Sequence, residues 1–236
     1  MSLLIHTIIS QGVKDSCNSV IRDFGEIENF LNNPNQAFTF AEKTNQYFLL
    51  NLQKNLEKYK PTYSIKKFDG SLIPKQDESN YFYLSGILGL TNFSRGSPNF
   101  ACSAYLERDS QVFASVIYNP ITYEMFYAEK GQGAFYNKRK LRYRSSEKIE
   151  APLTIATDKI AVKNLDFDSY QFICISNCKA LELCYLSANK IDDCIFKEKT
   201  PYHLLAPALL IAQEAGIVFD IVLDDKKNII SLKKTN

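Results

Sequence analysis

The stretch Ser85-Gly86-Ile87-Leu88-Gly89-Leu90-Thr91-Asn92-Phe93-Ser94-Arg95-Gly96-Ser97-Pro98 combines glycines, small hydroxyl residues and a proline. Such a run makes tight turns, and backbone N–H groups gathered at a turn can hold a phosphate. Chemistry on phosphate esters also asks for carboxylates and a metal at the same place. The first half of this stretch contains no acid. His203 is a second candidate, because it falls in the first turn of an expected helix. His6, the only other histidine, lies in an apolar N-terminal run without an evident partner. A transition-metal site that joined His203 to Cys174 or Cys178 has the wrong spacing for a known zinc module. The six cysteines, Cys17, Cys102, Cys174, Cys178, Cys184 and Cys194, include no C-x-x-C pair and read as buried thiols.

The 236 residues are 45% hydrophobic, which is ample for a sizeable core. Basic and acidic residues, 28 against 26, are mixed along the chain and leave a formal charge of +2. That balance gives no direct nucleic-acid footprint and no membrane-seeking face. No apolar run reaches the ~18 residues of a membrane span, and the first residues lack the basic region and cleavage site of a signal peptide. A cytoplasmic protein is expected.

Apolar residues recur at three and four over residues 20–31 and 38–59, which predicts two amphipathic helices joined around Asn33-Pro34-Asn35. Short strands follow at 81–84, 100–107, 111–118 and 124–129, linked by Arg108-Asp109-Ser110, Asn119-Pro120 and Lys130-Gly131-Gln132-Gly133. They read as an antiparallel meander. Alternation puts Phe100, Cys102, Ala104 and Leu106, with Val112, Ala114, Val116 and Tyr118, on the face toward the helices. After Ser145 the pattern changes to strand 153–156, strand 172–176, helix 177–188, strand 191–196 and helix 201–215. This predicts a parallel or mixed sheet with crossovers. Thr200 is the expected N-cap of the last helix and Gly216 its end. Pro207 is expected to loosen it and free the His203 carbonyl.

Three motifs in order resemble the inositol monophosphatase family, including its bacterial SuhB-type members. The family's D-P-I-D-G-T-x-N-F is matched by Ser85 to Phe93, followed by Gly96 and Pro98. Its Y-x-A-x-K-G-x-G-A-x-x-N-x-x-x-L is matched by Tyr127, Ala128, Lys130, Gly131, Gly133, Ala134, Asn137 and Leu141. Its third region is matched by Ala180-Leu181-Glu182-Leu183-Cys184-Tyr185-Leu186, Asp192, Pro201-Tyr202-His203 and Glu214-Ala215-Gly216-Ile217. The resemblance implies an α+β or α/β chain folded as an αβαβα layered sandwich: an N-terminal helix pair, the antiparallel meander and a mixed C-terminal sheet. Residues 1–145 would form the first half and 146–236 a smaller α/β half. The shortness between Ser145 and Asn177 implies that one helix of this half is reduced or missing.

Family members are Mg²⁺-dependent phosphatases, and the departures fall on the metal ligands. The two motif aspartates are Ser85 and Leu88 here, and the P-W-D aspartate is His203. The upstream glutamate maps to Phe68, or to Asp69 if the alignment slips by one. The water-orienting threonine is Leu90, and a supporting aspartate is Asn45. The former metal and catalytic positions are thus Asn45, Phe68, Asp69, Ser85, Ile87, Leu88, Leu90 and His203. A set so poor in carboxylates is not expected to hold Mg²⁺, so the expectation is a family member without a cofactor or phosphatase activity that acts by binding. The N–H groups of Gly89, Leu90 and Thr91 could still take a small phosphate or other anion. The resemblance also implies a homodimer through the meander side and, by analogy with SuhB-type relatives of the antitermination machinery, a protein partner. The alternative is a weak or altered Mg²⁺-dependent phosphatase on inositol monophosphate or another small phosphate ester, with Asp69, Asp77 or Glu78 reaching the site.

Overall fold

The computed structural model describes residues 4–144 and 153–235. The expected boundary at Ser145 lies outside these residues. Ile5, Ile8, Ile9 and Val13 share one buried stripe and make α1 (Ile5–Ser16), a helix the sequence reading did not separate from the N-terminal run. The expected pair follows as α2 (Asn18–Glu26), continued by a 3-10 turn (Ile27–Phe30), and α3 (Pro34–Tyr59). Asn33 caps α3, with its side chain accepting from the Gln36 N–H, and Pro34 takes the first turn where no N–H is needed.

The first sheet has eight strands: β1 (Tyr63–Lys67), β2 (Leu72–Ile73), β3 (Asp77–Leu88), β4 (Ala101–Arg108), β5 (Gln111–Asn119), β6 (Glu124–Glu129), β7 (Gly133–Tyr136) and β8 (Arg139–Lys140). Their order is β2-β1-β3-β4-β5-β6-β7-β8. β3 to β8 form the meander, while β1 pairs parallel to β3, an addition to the purely antiparallel reading. The expected alternation holds on β4, where Phe100, Cys102, Ala104 and Leu106 face the N-terminal helices. It fails at Val112. A bulge after Leu106 pairs Glu107 with Val112 and turns Val112 to the opposite core.

Helix α4 (Leu90–Ser94) connects β3 to β4. The second half contributes β9 (Thr154–Thr157), β10 (Phe172–Cys174), α5 (Lys179–Ser187), β11 (Asp193–Phe196), β12 (Thr200–Pro201), α6 (Tyr202–Ala215), β13 (Phe219–Leu223) and β14 (Asn228–Lys234). Its sheet runs β10-β9-β11-β14-β12, with β13 on β14. It is mixed: β9 pairs parallel to β10 and β11, and β14 is antiparallel to β11. β13 and β14 were not read from the sequence. Thr200 is not the N-cap. Pro201 takes that place, α6 starts one residue later than expected at Tyr202, and the Thr200 hydroxyl donates to the Glu198 carbonyl instead. α6 also runs unbroken through Pro207, whose own carbonyl accepts from the Ser115 hydroxyl at 2.8 Å.

The N-terminal helices cover one face of the first sheet, and α5 and α6 fill the space between the two sheets. That second core joins Leu88, Ala101, Ile117 and Phe126 to Ala156, Cys194, Phe196 and Leu232, so both halves share it. Right-handed crossovers put the β9–β10 connection on the sheet face opposite α5. That connection holds two 3-10 turns, Ala161–Asn164 and Phe167–Ser169, and no α-helix. Among the described residues all six cysteines are free thiols, and no helix is long and apolar enough to cross a membrane.

Candidate functional site

Asn45 sits on the buried face of α3, and its Oδ1 accepts from the Ile87 N–H at 2.8 Å. β3 is irregular between Leu84 and Gly86, which leaves Ser85 without a register partner on β4. Gly86 has φ +79°, and a Cβ there would lie 2.6 Å from Asn45 Oδ1. Only glycine lets α3 and β3 approach this closely. Asn45 therefore shapes the strand end that presents Ile87 to Leu90. Gly89, with φ +79°, closes β3 and opens α4. Asn92 then ties α4 across the molecule, since its amide donates to the carbonyls of Asn99 and Ser176, both at 2.6 Å.

Ile87, Leu88, Gly89 and Leu90 line a cavity of about 360 Å³ whose far wall is the start of α5 and the loop before α6. Leu204 and Leu205 complete its apolar side, and its polar groups are Thr157, Asp158, Lys179, Glu182 and Glu198. Lys179 Nζ lies 3.3 Å from Asp158 Oδ2 and donates to the Glu198 carbonyl and Thr200 Oγ1, both at 2.9 Å. Asp158 is saturated: it accepts the N–H groups of Ile160, Ala161, Lys197 and Glu198. Burial would raise the Asp158 carboxyl, but the Ala161 and Glu198 N–H groups and Lys179 outweigh it and hold the pKa below the usual value. Glu182, 1% exposed, behaves oppositely. Its Oε1 accepts from the Ser176 N–H at 2.7 Å, its Oε2 has no partner, and burial pushes its pKa up.

The other candidate residues from the sequence do not line this cavity. Ser85 is 4% exposed and its hydroxyl has no partner. Phe68 is exposed in the β1–β2 turn, where Asp69 accepts from the Ser71 N–H at 2.8 Å. Asp77 caps the N–H groups of Ser79 and Asn80, both at 2.9 Å. His203 stacks on Tyr83, with ring centroids 5.4 Å apart, and lines a separate groove rather than the cavity of Leu88 and Cys178. Burial lowers its pKa. Among the described residues no three His, Cys, Asp or Glu side chains form a group that could hold a metal ion. His6 does have partners, contrary to the sequence reading. It contacts Glu129 Oε2 at 2.9 Å and stacks on Tyr127.

Sequence reasoning missed Lys179, Asp158 and Glu182. The usable signal was Lys179, a cation in the first turn of a helix, where the helix dipole disfavours it and a non-local partner is required.

Two sheets with helices between them and against the first sheet, and a glycine-bounded strand end facing the start of a helix, define a layered α/β fold. The sequence profile of the inositol monophosphatase family matches residues 87–228. The chain belongs to that family. It is 28% identical over 229 residues to an inositol-1-monophosphatase of Rhizobium meliloti strain 1021, covering 91% of this chain and 84% of that protein. It is 24% identical over 202 residues to the Nus factor SuhB of Escherichia coli K12, covering 78% and 76% of the two chains. The crystal structure of the extragenic suppressor protein SuhB from Bartonella henselae superposes with a TM-score of 0.80 at 27% identity, over 95% of this chain and 92% of that one.

Proposed function

We propose that this chain is a SuhB-type member of the inositol monophosphatase family that has lost Mg²⁺-dependent phosphatase chemistry and acts by binding. One observation carries the reading: the residues that the resemblance assigns to the family's carboxylates are Ser85, Leu88 and His203, none of which is a carboxylate, and among the described residues no group of His, Cys, Asp and Glu could hold a metal ion. Mg²⁺ demands octahedral oxygen donors and gives up its waters reluctantly. Leucine offers no donor, a lone serine hydroxyl is a weak one, and imidazole suits softer metals. The donor set does not fit the ion, so no catalytic step is routed through it.

An altered phosphatase is the second reading, supported by the three acids Asp158, Glu182 and Glu198 around the cavity. Asp158 is already spent on four backbone N–H groups, and Lys179 sits between it and Glu198. The same acids disfavour a phosphate at the N–H groups of Gly89, Leu90 and Thr91, and α4 has only five residues to add its dipole. A protein partner remains part of the proposal by analogy with relatives named Nus factor. So does the homodimer through the meander side, and crosslinking that gives only monomer at high concentration would contradict it.

A titration with Mn²⁺ followed by electron paramagnetic resonance tests the metal claim. The free-ion signal is expected to track the protein-free blank. A saturable loss of signal with about one ion or more per chain at sub-millimolar affinity would overturn the proposal.

A further inference from the structure

A groove of about 910 Å³ holds His203 and lies between the open face of β1, β3, β4 and β5 and the side of α6. Its floor is a row of rings. Tyr105 and Tyr83 stack with centroids 4.7 Å apart and planes 6° from parallel, and His203 continues the row from Tyr83 at 29°. Tyr202 lies beside them on the same groove. Tyr105 is 2% exposed, yet no hydrogen bond engages its phenol. The Tyr83 phenol and the His203 ring nitrogens are likewise without hydrogen bonds among the described residues. Burial raises the pKa of Tyr105 and Tyr202 and pushes Tyr83 up to about 12, so the phenols stay protonated and offer O–H donors.

The charged lining is unbalanced in the same sense. Four lysines, Lys66, Lys130, Lys226 and Lys227, face two glutamates, Glu107 and Glu214. Lys66 is paired with Glu107 at 2.7 Å, and Glu214 is held by the Gly131 and Gly133 N–H groups. Lys130 donates to the neutral Gln111 amide, and Lys226 and Lys227 form the exposed turn between β13 and β14 with no ion pair. Lys130, Lys226 and Lys227, none in an ion pair among the described residues, thus stand at the mouth of a groove floored with stacked rings and phenol donors, although Asp225 shares the turn with the last two.

We propose that this groove binds small planar aromatic anions, with the ring continuing the stack of Tyr105, Tyr83 and His203 and the acidic group among Lys130, Lys226 and Lys227. The ring gains stacking and, with the lysines, the anion gains charge-assisted hydrogen bonds. Of its residues only His203 falls on a position that the resemblance assigns to a metal ligand, and the stack of Tyr83 on Tyr105 and the lysines do not depend on that assignment.

Calorimetric titration of the full chain with 2-naphthoate is the test, with 2-naphthamide as the uncharged control and decahydro-2-naphthoate as the saturated one. Binding of 2-naphthoate at about millimolar affinity or tighter is expected, with both controls weaker by about tenfold. Lys226→Gln with Lys227→Gln, in an exposed turn where folding is insensitive, should weaken 2-naphthoate by about fivefold while leaving 2-naphthamide unchanged. Tyr202→Ala, on the groove wall, should weaken both aromatic probes. Equal affinity for all three compounds, no saturation by 2-naphthoate at ~10 mM, or indifference to the lysine pair would each overturn the assignment.

Discussion

Ser85 and Glu182 each bury an oxygen without a partner. A buried hydroxyl without a partner costs about 1–3 kcal/mol, and Ser85 carries one. Ser85→Ala is therefore expected to leave the melting temperature unchanged or raise it. Ser85→Asp, the residue of the family motif, should lower stability by about 2 kcal/mol or more because nothing compensates the buried charge, and added Mg²⁺ should not restore it. Thermal unfolding with and without Mg²⁺ reads both. Glu182 makes a pH prediction. Its pKa is raised in the folded chain by burial, so the folded state binds the proton more tightly than the unfolded one. Its contribution to stability is fully present below the unfolded carboxyl value of ~4.3 and is lost as pH rises through the folded value. Glu182→Gln keeps an acceptor for the Ser176 N–H and removes the titration. The variant should be more stable than the parent at pH 7, and denaturant melts should show the gap closing as pH falls toward ~4. The stretch from Ser85 to Phe93 was legible as a turn motif because its glycines take positive φ at Gly86 and Gly89. Lys179 and Asp158 were not, since their pairing joins an α5 start to the end of β9 across residues that no local pattern links.

At the scale of elements, the glycine-rich motifs resolve into joints. The Glu214 carboxylate accepts the N–H groups of Gly131 and Gly133, both at 2.8 Å, so the K-G-x-G turn and the E-A-G helix end form one contact. The α3–β3 joint is tighter still. Gly86→Ala is expected to cost about 3 kcal/mol or more, from the positive φ and the collision with Asn45, and hydrogen exchange should show β3 opening first. The Asp158 cap holds the turn after β9 and the loop after β11 together. Asp158→Ala should cost about 2–3 kcal/mol by leaving several N–H groups and Lys179 unpaired; a loss under about 0.5 kcal/mol in urea melts would contradict that role. The apolar stripe of α3 was readable, whereas that of α1 was passed over in the apolar N-terminal run. β1 and β13 were not readable, because Ile65 is the one buried apolar side chain of β1 and β13 keeps Val222 and Leu223 exposed beside a register shift. The slip at Val112 has the same origin: a bulge leaves no mark in hydrophobic alternation until the partner strand is known.

The whole molecule keeps the family's layering, and its β9–β10 connection holds two 3-10 turns and no α-helix. Phe167, Phe172 and Ile173 are exposed beside them, which follows from the short connection between β9 and β10. That shortening was readable from chain length alone, as was the layered fold from three ordered motifs. The stacking of His203 on Tyr83 was not, because it depends on how α6 lies against β3. The central claim concerns this arrangement as a unit: a fold that retains the joints of a phosphatase without its metal chemistry. The measurement that tests it most directly is phosphate release from inositol 1-phosphate by the folded chain over a range of Mg²⁺, with a chelator blank. Release indistinguishable from the blank is the expected result. Turnover that appears with Mg²⁺ and disappears with chelator would contradict the account.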